Sequence, residues 1–244
     1  MTSSRGESGA KGSPNTRGLA GLVLLLALAA FVAARPAAAA DGRPSYFQSI
    51  EFASTDIAPF GKWRDALART AREMAAEARR DCAEPGAACP YRALDAFLDT
   101  LRHKRRHEQL VAVNAYMNAR PYVSDLRNWG EKDYWATPGE FLTRSGDCED
   151  YAIAKFFALR RLGWSAESLR LAAVKDTARD TGHAVLIAFD GATSWLLDNQ
   201  IKPVVATDRV DRYEPVYSIN EHAWWRHQVV APSIATRVDT VAGG

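Results

Sequence analysis

Three residues in the second half of this chain have the types that nucleophilic catalysis requires: Cys148, His183 and Asp198. Cys148 follows Ser145-Gly146-Asp147 and opens an apolar stretch of helical period, which puts it on the first turn of a helix. Unpaired backbone N–H groups and the helix dipole there favour the thiolate, the reactive form of cysteine. A nucleophile of this kind needs a base. His183 opens one strand-like segment and Asp198 lies near the end of the next, with the hairpin signal Asp190-Gly191 between them. With the turn centred on Gly191-Ala192, residues whose numbers sum to 383 lie opposite one another, so Val185 faces Asp198 and His183 faces Gln200. Side chains alternate with period two, so positions 183, 185, 198 and 200 point to one side and His183 and Asp198 become diagonal neighbours. In that arrangement Asp198 accepts the Nδ1–H of the imidazole and leaves Nε2 to activate the thiol. A slip of one residue would separate them. Each residue alone has an ordinary structural reading; the three together point to a Cys-His-Asp triad.

Asp147, Glu149 and Asp150 surround the cysteine, and three carboxylates raise a thiol's pKa. Something must offset them. One reading is capping, with Asp147 as N-cap and Asp150 at the third helical position. The other is a bound hard cation, for which clustered carboxylate oxygens suit Ca²⁺ better than Zn²⁺. The cluster has no histidine and lacks the spacing of an EF-hand loop, so the residues alone leave both readings open.

These groups need particular elements to hold them. Apolar residues at helical spacing predict helices over 62–80, 91–101 and 108–119, and a buried helix over 147–162 closed by Gly163. Between them, 120–140 reads as a long loop rich in aromatic residues, among them Tyr122, Trp129, Tyr134 and Trp135. Strands are expected over 169–175, 183–189 and 194–199, with a fourth at 216–219. Helices followed by a buried helix on an antiparallel meander make an α+β fold. Trp224-Trp225 fits either an exposed contact patch or a buried lid.

Composition sets the frame. The chain has 244 residues, 47% of them hydrophobic and 25% charged, the make-up of a globular protein. Lys plus Arg is 31 and Asp plus Glu is 29, a net of +2 that gives no footing for nucleic-acid binding. Residues 1–18 are basic and rich in Ser and Gly, 19–32 are an unbroken apolar run, and Ala37 to Ala40 supply small residues before Asp41. That order is expected of a secretory signal peptide over 1–40, and the run is short of the about 20 apolar residues a membrane anchor needs. The remainder, 41–244, is expected to be one exported domain in the periplasm, with a helical part over about 60–120 and a catalytic core over about 121–231. Three cysteines are an odd number for such a compartment. Cys82 and Cys89, on either side of Pro85-Gly86, are expected to pair, which leaves Cys148 as the free thiol.

Three stretches, Tyr134-Trp135-Ala136-Thr137-Pro138-Gly139-Glu140-Phe141-Leu142, Gly146-Asp147-Cys148-Glu149-Asp150-Tyr151-Ala152-Ile153-Ala154-Lys155 and Gly182-His183-Ala184-Val185 with Leu197-Asp198-Asn199, closely resemble the bacterial transglutaminase-like cysteine proteinases. Within that family the likeness is to the LapG type of periplasmic protease. The resemblance implies a papain-like, transglutaminase-type core with the triad on Cys148, His183 and Asp198. It implies calcium as cofactor, held by Asp147 and Glu149 with Asp150 a further candidate, which favours the cation reading above. It implies an endopeptidase that cuts near the N-terminus of a large surface adhesin, commonly after paired alanines and before glycine, and so releases biofilm cells. A sequestering inner-membrane receptor for cyclic di-GMP is implied as partner. The oxyanion hole would use the backbone N–H of Cys148 and an indole N–H, from Trp135 or else Trp129. An acyl-transferring transglutaminase, sharing the same triad and thioester, and a non-catalytic calcium-responsive binding module are the rival functions.

Overall fold

A computed structural model describes residues 46–83 and 88–229. The 1–40 segment expected to be a signal peptide lies outside the described residues, as does Pro85-Gly86. Among the described residues are six α-helices: α1 (Gly61–Glu77), α2 (Pro90–Asp99), α3 (Arg106–Asn118), α4 (Asp125–Trp129), α5 (Pro138–Arg144) and α6 (Cys148–Arg161). The strands are β1 (Ser49–Ser54), β2 (Leu169–Asp176), β3 (Thr181–Asp190), β4 (Thr193–Leu197), β5 (Val205–Ala206), β6 (Tyr213–Ile219) and β7 (Trp224–Val229). They form one sheet in the order β1-β7-β6-β2-β3-β4-β5, every neighbouring pair antiparallel. The fold is α+β.

The central helix α6 buries Ile153, Phe156 and Leu159 completely. With Trp63 of α1, Leu94 and Leu98 of α2, and Val113 and Met117 of α3, these side chains pack onto Leu186, Leu197 and Ile219 of the sheet. Alternation along β3 sends Val185, Ile187 and Phe189 to a second core with Tyr46, Phe47 and Tyr213. Gly163 takes φ +90°, the left-handed cap that closes a helix. The β3–β4 ladder runs from Leu186–Leu197 to Asp190–Thr193, so every pair sums to 383, and Gly191 in the two-residue turn has φ +60°.

Other elements differ from the sequence reading. The 120–140 segment is not one loop: it contains α4 and the start of α5. Pro138 and Gly139 read as loop residues, yet Pro is compatible with the first helical turn. Thr137 Oγ1 accepts the Glu140 N–H at 3.1 Å while Glu140 accepts the Thr137 N–H at 2.8 Å, a reciprocal cap. Strands β1, β5 and β7 were not expected, and β4 stops one residue short of Asp198. In β7 the sequence Trp-Trp-Arg-His-Gln-Val has no apolar alternation; it pairs over three residues with β6 and along its whole length with β1, far away in sequence. Trp224 and Trp225 are half-buried strand residues, and Trp224 packs against the main core. Trp224 packs on Phe60 and Trp225 lies under the Arg170 guanidinium, 3.6 Å from it. Cys82 and Cys89 are disulfide-bonded with Cα atoms 6.0 Å apart, and Cys148 is the free cysteine.

The chain reaches α6 through a tight passage. Ser145 has φ +64°, a strained value for a residue with a Cβ. Gly146 follows, where a Cβ would stand 2.0 Å from Asp150 Oδ2 and 2.7 Å from its Cβ. Gly146→Ala therefore forces the start of α6 off its anchor. Thermal denaturation of this variant is expected to show a loss of about 1–3 kcal/mol, the usual cost of overpacking, and a wild-type melting curve would show that the passage is looser than described.

Candidate active site and acidic cluster

Cys148 is the first residue of α6, so its backbone N–H has no intrahelical acceptor. The strand-like bridge of Tyr122 with Gly146, reinforced by the Val123 N–H on Gly146 O at 2.9 Å, brings the 120–137 segment alongside it. The thiol donates to Glu149 Oε2 at 3.1 Å. Burial pushes the Cys148 thiol up, the Glu149 and Asp147 charges push it further, and the Ala184 N–H directed at the sulfur opposes them. Helix α6 packs on β3, the strand that carries His183.

His183 Nε2 lies 2.9 Å from Asp198 Oδ1, both side chains buried. The pair forms, but through the other ring nitrogen than expected. Nε2 stands farther from the backbone than Nδ1, and it is the atom that reaches a carboxylate just beyond the end of β4. Asp198 is pinned there by the Gln200 N–H on Oδ1 at 2.9 Å, by the Tyr213 hydroxyl on Oδ2 at 2.6 Å and by the Asn118 amide on its carbonyl at 2.7 Å. Burial would raise its carboxyl, but the hydrogen bonds from His183, Gln200 and Tyr213 outweigh burial and hold it below the usual carboxylate range. Nδ1 faces the Gln200 amide nitrogen at 3.2 Å. No hydrogen bond joins Cys148 to His183 among the described residues.

The carboxylates gather more widely than the sequence indicated. Asp125 and Asp133, from the segment read as a loop, join Asp147, Glu149 and Asp150 in groups whose ligand atoms lie within 4.8 Å of one another. Asp150 takes the capping part: its oxygens accept the Ala136 N–H at 2.7 Å and the Asp147 N–H at 3.1 Å. Asp125 Oδ2 accepts the Tyr134 N–H at 2.5 Å. Asp125 Oδ1 and Asp147 Oδ1 are buried with no hydrogen-bond partner among the described residues. Two such oxygens in an all-oxygen donor set fit a hard divalent cation. Lys62 pairs with Asp133.

The two tryptophans are placed differently from each other. Trp135 packs against the main core and its carbonyl accepts Arg69 Nη2 at 2.6 Å. The Trp129 indole N–H is buried without a partner among the described residues, its ring under Arg144. Sequence reasoning also passed over Lys155, which lies two turns after Cys148. It is fully buried, and burial pushes its ammonium down to about 7 against the pull of Asp198. Its only sequence signal is a lysine inside an apolar helix.

Burial, with Glu149 next, raises Asp147 to about 7, and burial raises Asp150 to about 8. Both values exceed the about 3.9 of an unfolded aspartate. A raised folded-state pKa contributes stability in full below the unfolded value and loses it as pH rises through the folded one. In chelator, the melting temperature is therefore expected to fall between about pH 4.5 and 7, and a saturating divalent cation should flatten that fall. A chelated protein whose melting temperature is level or rising across this window would contradict the buried cluster.

A model of the bacterial transglutaminase-like cysteine proteinase family matches residues 75–228. No curated protein sequence matches the chain. Among solved structures, Legionella pneumophila LapG is similar at 30% identity and TM-score 0.50, covering 55% of this chain and 74% of that one. Calcium-bound LapG from the same organism is similar at 26% identity and TM-score 0.54, over 64% of this chain and 87% of that one. EGTA-treated LapG gives 29% and 0.51 over 56% and 75%. The chain belongs to the bacterial transglutaminase-like cysteine proteinase family.

Proposed function

We propose that this protein is a periplasmic, calcium-dependent cysteine endopeptidase that cleaves the N-terminal region of a large surface adhesin and so promotes biofilm dispersal. The observation that carries the reading is the buried hydrogen bond between His183 of β3 and Asp198 just past β4, in a sheet on which packs the helix that begins with the free thiol of Cys148. Membership of a cysteine proteinase family supports peptide hydrolysis over acyl transfer and over a binding module. The basic, apolar and small-residue order of 1–40 supports export. Among the described residues no helix is long and apolar enough to cross a membrane.

Asp198 holds the imidazole with its proton on Nε2. Nδ1 then takes the thiol proton and Sγ attacks the substrate carbonyl carbon. The backbone N–H of Cys148 and an indole N–H, from Trp135, stabilise the oxyanion. The imidazolium returns its proton to the amide nitrogen as the C–N bond breaks. A water, losing its proton to Nδ1, attacks the thioester; the C–S bond breaks, and the thiolate recovers the proton. Tyr122, 59% exposed and bridged to Gly146 beside the nucleophile, offers apolar surface for the substrate chain.

Asp125, Asp147 and Glu149, with Asp133 and Asp150 beside them, would hold calcium, whose charge offsets the carboxylates that keep the thiol protonated. The calcium-bound neighbour supports this choice of metal. An inner-membrane receptor for cyclic di-GMP is the proposed sequestering partner, a reading supported by the family resemblance alone.

Incubation with the N-terminal region of an adhesin from the same cell is expected to yield a discrete fragment in calcium and none in chelator. Cys148→Ala should abolish the fragment at an unchanged fold, and cleavage by that variant would end the assignment. Chelation should also lower the melting temperature, because a ligand bound only to the native state stabilises it by mass action.

A further inference from the structure

Gln200 touches both members of the His183–Asp198 pair. Its backbone N–H donates to Asp198 Oδ1 at 2.9 Å and its side-chain nitrogen lies 3.2 Å from His183 Nδ1. The two ends of an amide look alike in shape, but chemistry distinguishes them here. Oε1 faces Arg179 Nη1, and Arg212 Nη2 at 3.0 Å. Guanidinium groups only donate, so the atom between them must be the oxygen and the atom on the ring must be the NH₂. An NH₂ also only donates. Nδ1 is therefore the bare, accepting nitrogen, and the ring proton sits on Nε2, where Asp198 receives it. The orienting arginines are themselves tied down: Arg212 pairs with the fully buried Asp176 carboxylate, and Arg179 lies 4.0 Å from it.

We propose that Gln200 is a positioning residue for His183, an arginine-oriented amide that occupies the Nδ1 lone pair in the resting site and must be displaced before Cys148 can deliver its proton. The proposal rests on the reading of Cys148 and His183 as nucleophile and base. The resting geometry has both partners engaged elsewhere, the thiol on Glu149 and the imidazole on Gln200. Forming the thiol–imidazole contact exchanges these two hydrogen bonds for one. The tautomer does not depend on Gln200 alone, because Asp198 already holds the proton on Nε2. Removing the amide therefore frees the lone pair without turning the ring.

The test uses the purified exported chain in calcium and compares wild type, Gln200→Leu and Arg179→Met. Arg179 is a surface residue, so its variant covers the case in which Gln200→Leu fails to fold. Two quantities are read: the rate of Cys148 alkylation by iodoacetamide near neutral pH, and the ring nitrogens of His183 by long-range ¹H–¹⁵N correlation. Alkylation should rise about 2- to 10-fold in Gln200→Leu, the worth of one hydrogen bond, and by less in Arg179→Met. Nδ1 should be unprotonated in both variants and wild type, with its resonance displaced in Gln200→Leu. A purely structural role would lower the melting temperature and move neither reading. A fast wild-type thiol that Gln200→Leu leaves unchanged overturns the proposal alone. A proton on Nδ1 in the wild type overturns it too. A thiol as slow as an ordinary cysteine in all three proteins overturns the proposal together with the assignment of Cys148 as nucleophile.

Discussion

Buried negative charge at the start of α6 is the constraint around which the rest of the site is arranged. Asp125, Asp147, Glu149 and Asp150 converge, the first and last buried and the other two half-buried, and like charges at that range cannot all ionise without compensation. The fold supplies part of it. Asp150 spends both oxygens on backbone N–H groups, Asp125 takes the Tyr134 N–H and Lys62 pairs with Asp133. Each of those donors except Asp147 and Lys62 comes from the segment between α3 and α5. The same acids that crowd the nucleophile therefore hold that segment against it, and the Arg69 contacts to Tyr134, Trp135 and Glu140 brace it from α1.

The helix dipole does not rescue the thiol under these conditions. It is equivalent to roughly half a positive charge, while Cys148 has a carboxylate on each side and donates to one of them. Burial acts in the same direction. A cysteine at a helix N-terminus is ordinarily a strong candidate for a low pKa, yet this one is held protonated by its neighbours. Two buried oxygens without partners remain in the cluster, so the compensation is incomplete in the protein's own groups. This incomplete compensation is what makes a hard cation chemically apt beside this nucleophile.

Much of this was legible in the sequence where local signals agree with the global fold. The Asp190-Gly191 turn and period-two alternation were enough for the β3–β4 register, and apolar period plus Gly163 were enough for α6. The capping-or-cation question at Asp147, Glu149 and Asp150 does not divide cleanly: Asp147 is the N-cap with Asp150 at the third helical position, as the capping reading has it, yet Asp147 Oδ1 is buried without a partner among the described residues. What was missed depends on partners remote in sequence. Strand β7 has no pattern of its own, and Asp125 and Asp133 look like ordinary polar loop residues until the chain folds back on α6. Helix α5 is a different case, because Thr137 and Glu140 carried a readable cap that Pro138 and Gly139 masked.

The reversed ring orientation of His183 shows where register arguments stop. Register decides which residues of a sheet are neighbours and on which side; it does not decide which atom of a ring meets its partner. Asp198 lies past the end of β4, in a turn whose next residues fold back so that the Gln200 N–H and, from β6, the Tyr213 hydroxyl converge on it. That convergence draws the carboxylate to the reach of Nε2 and leaves Nδ1 to the Gln200 amide. The surroundings of the base's lone pair are thus set by Gln200, whose amide is oriented by Arg179 from the β2–β3 turn and by Arg212 from just before β6. Steering the proton and occupying the lone pair are consequently separate tasks in this fold, the first resting on Asp198 and the second on Gln200.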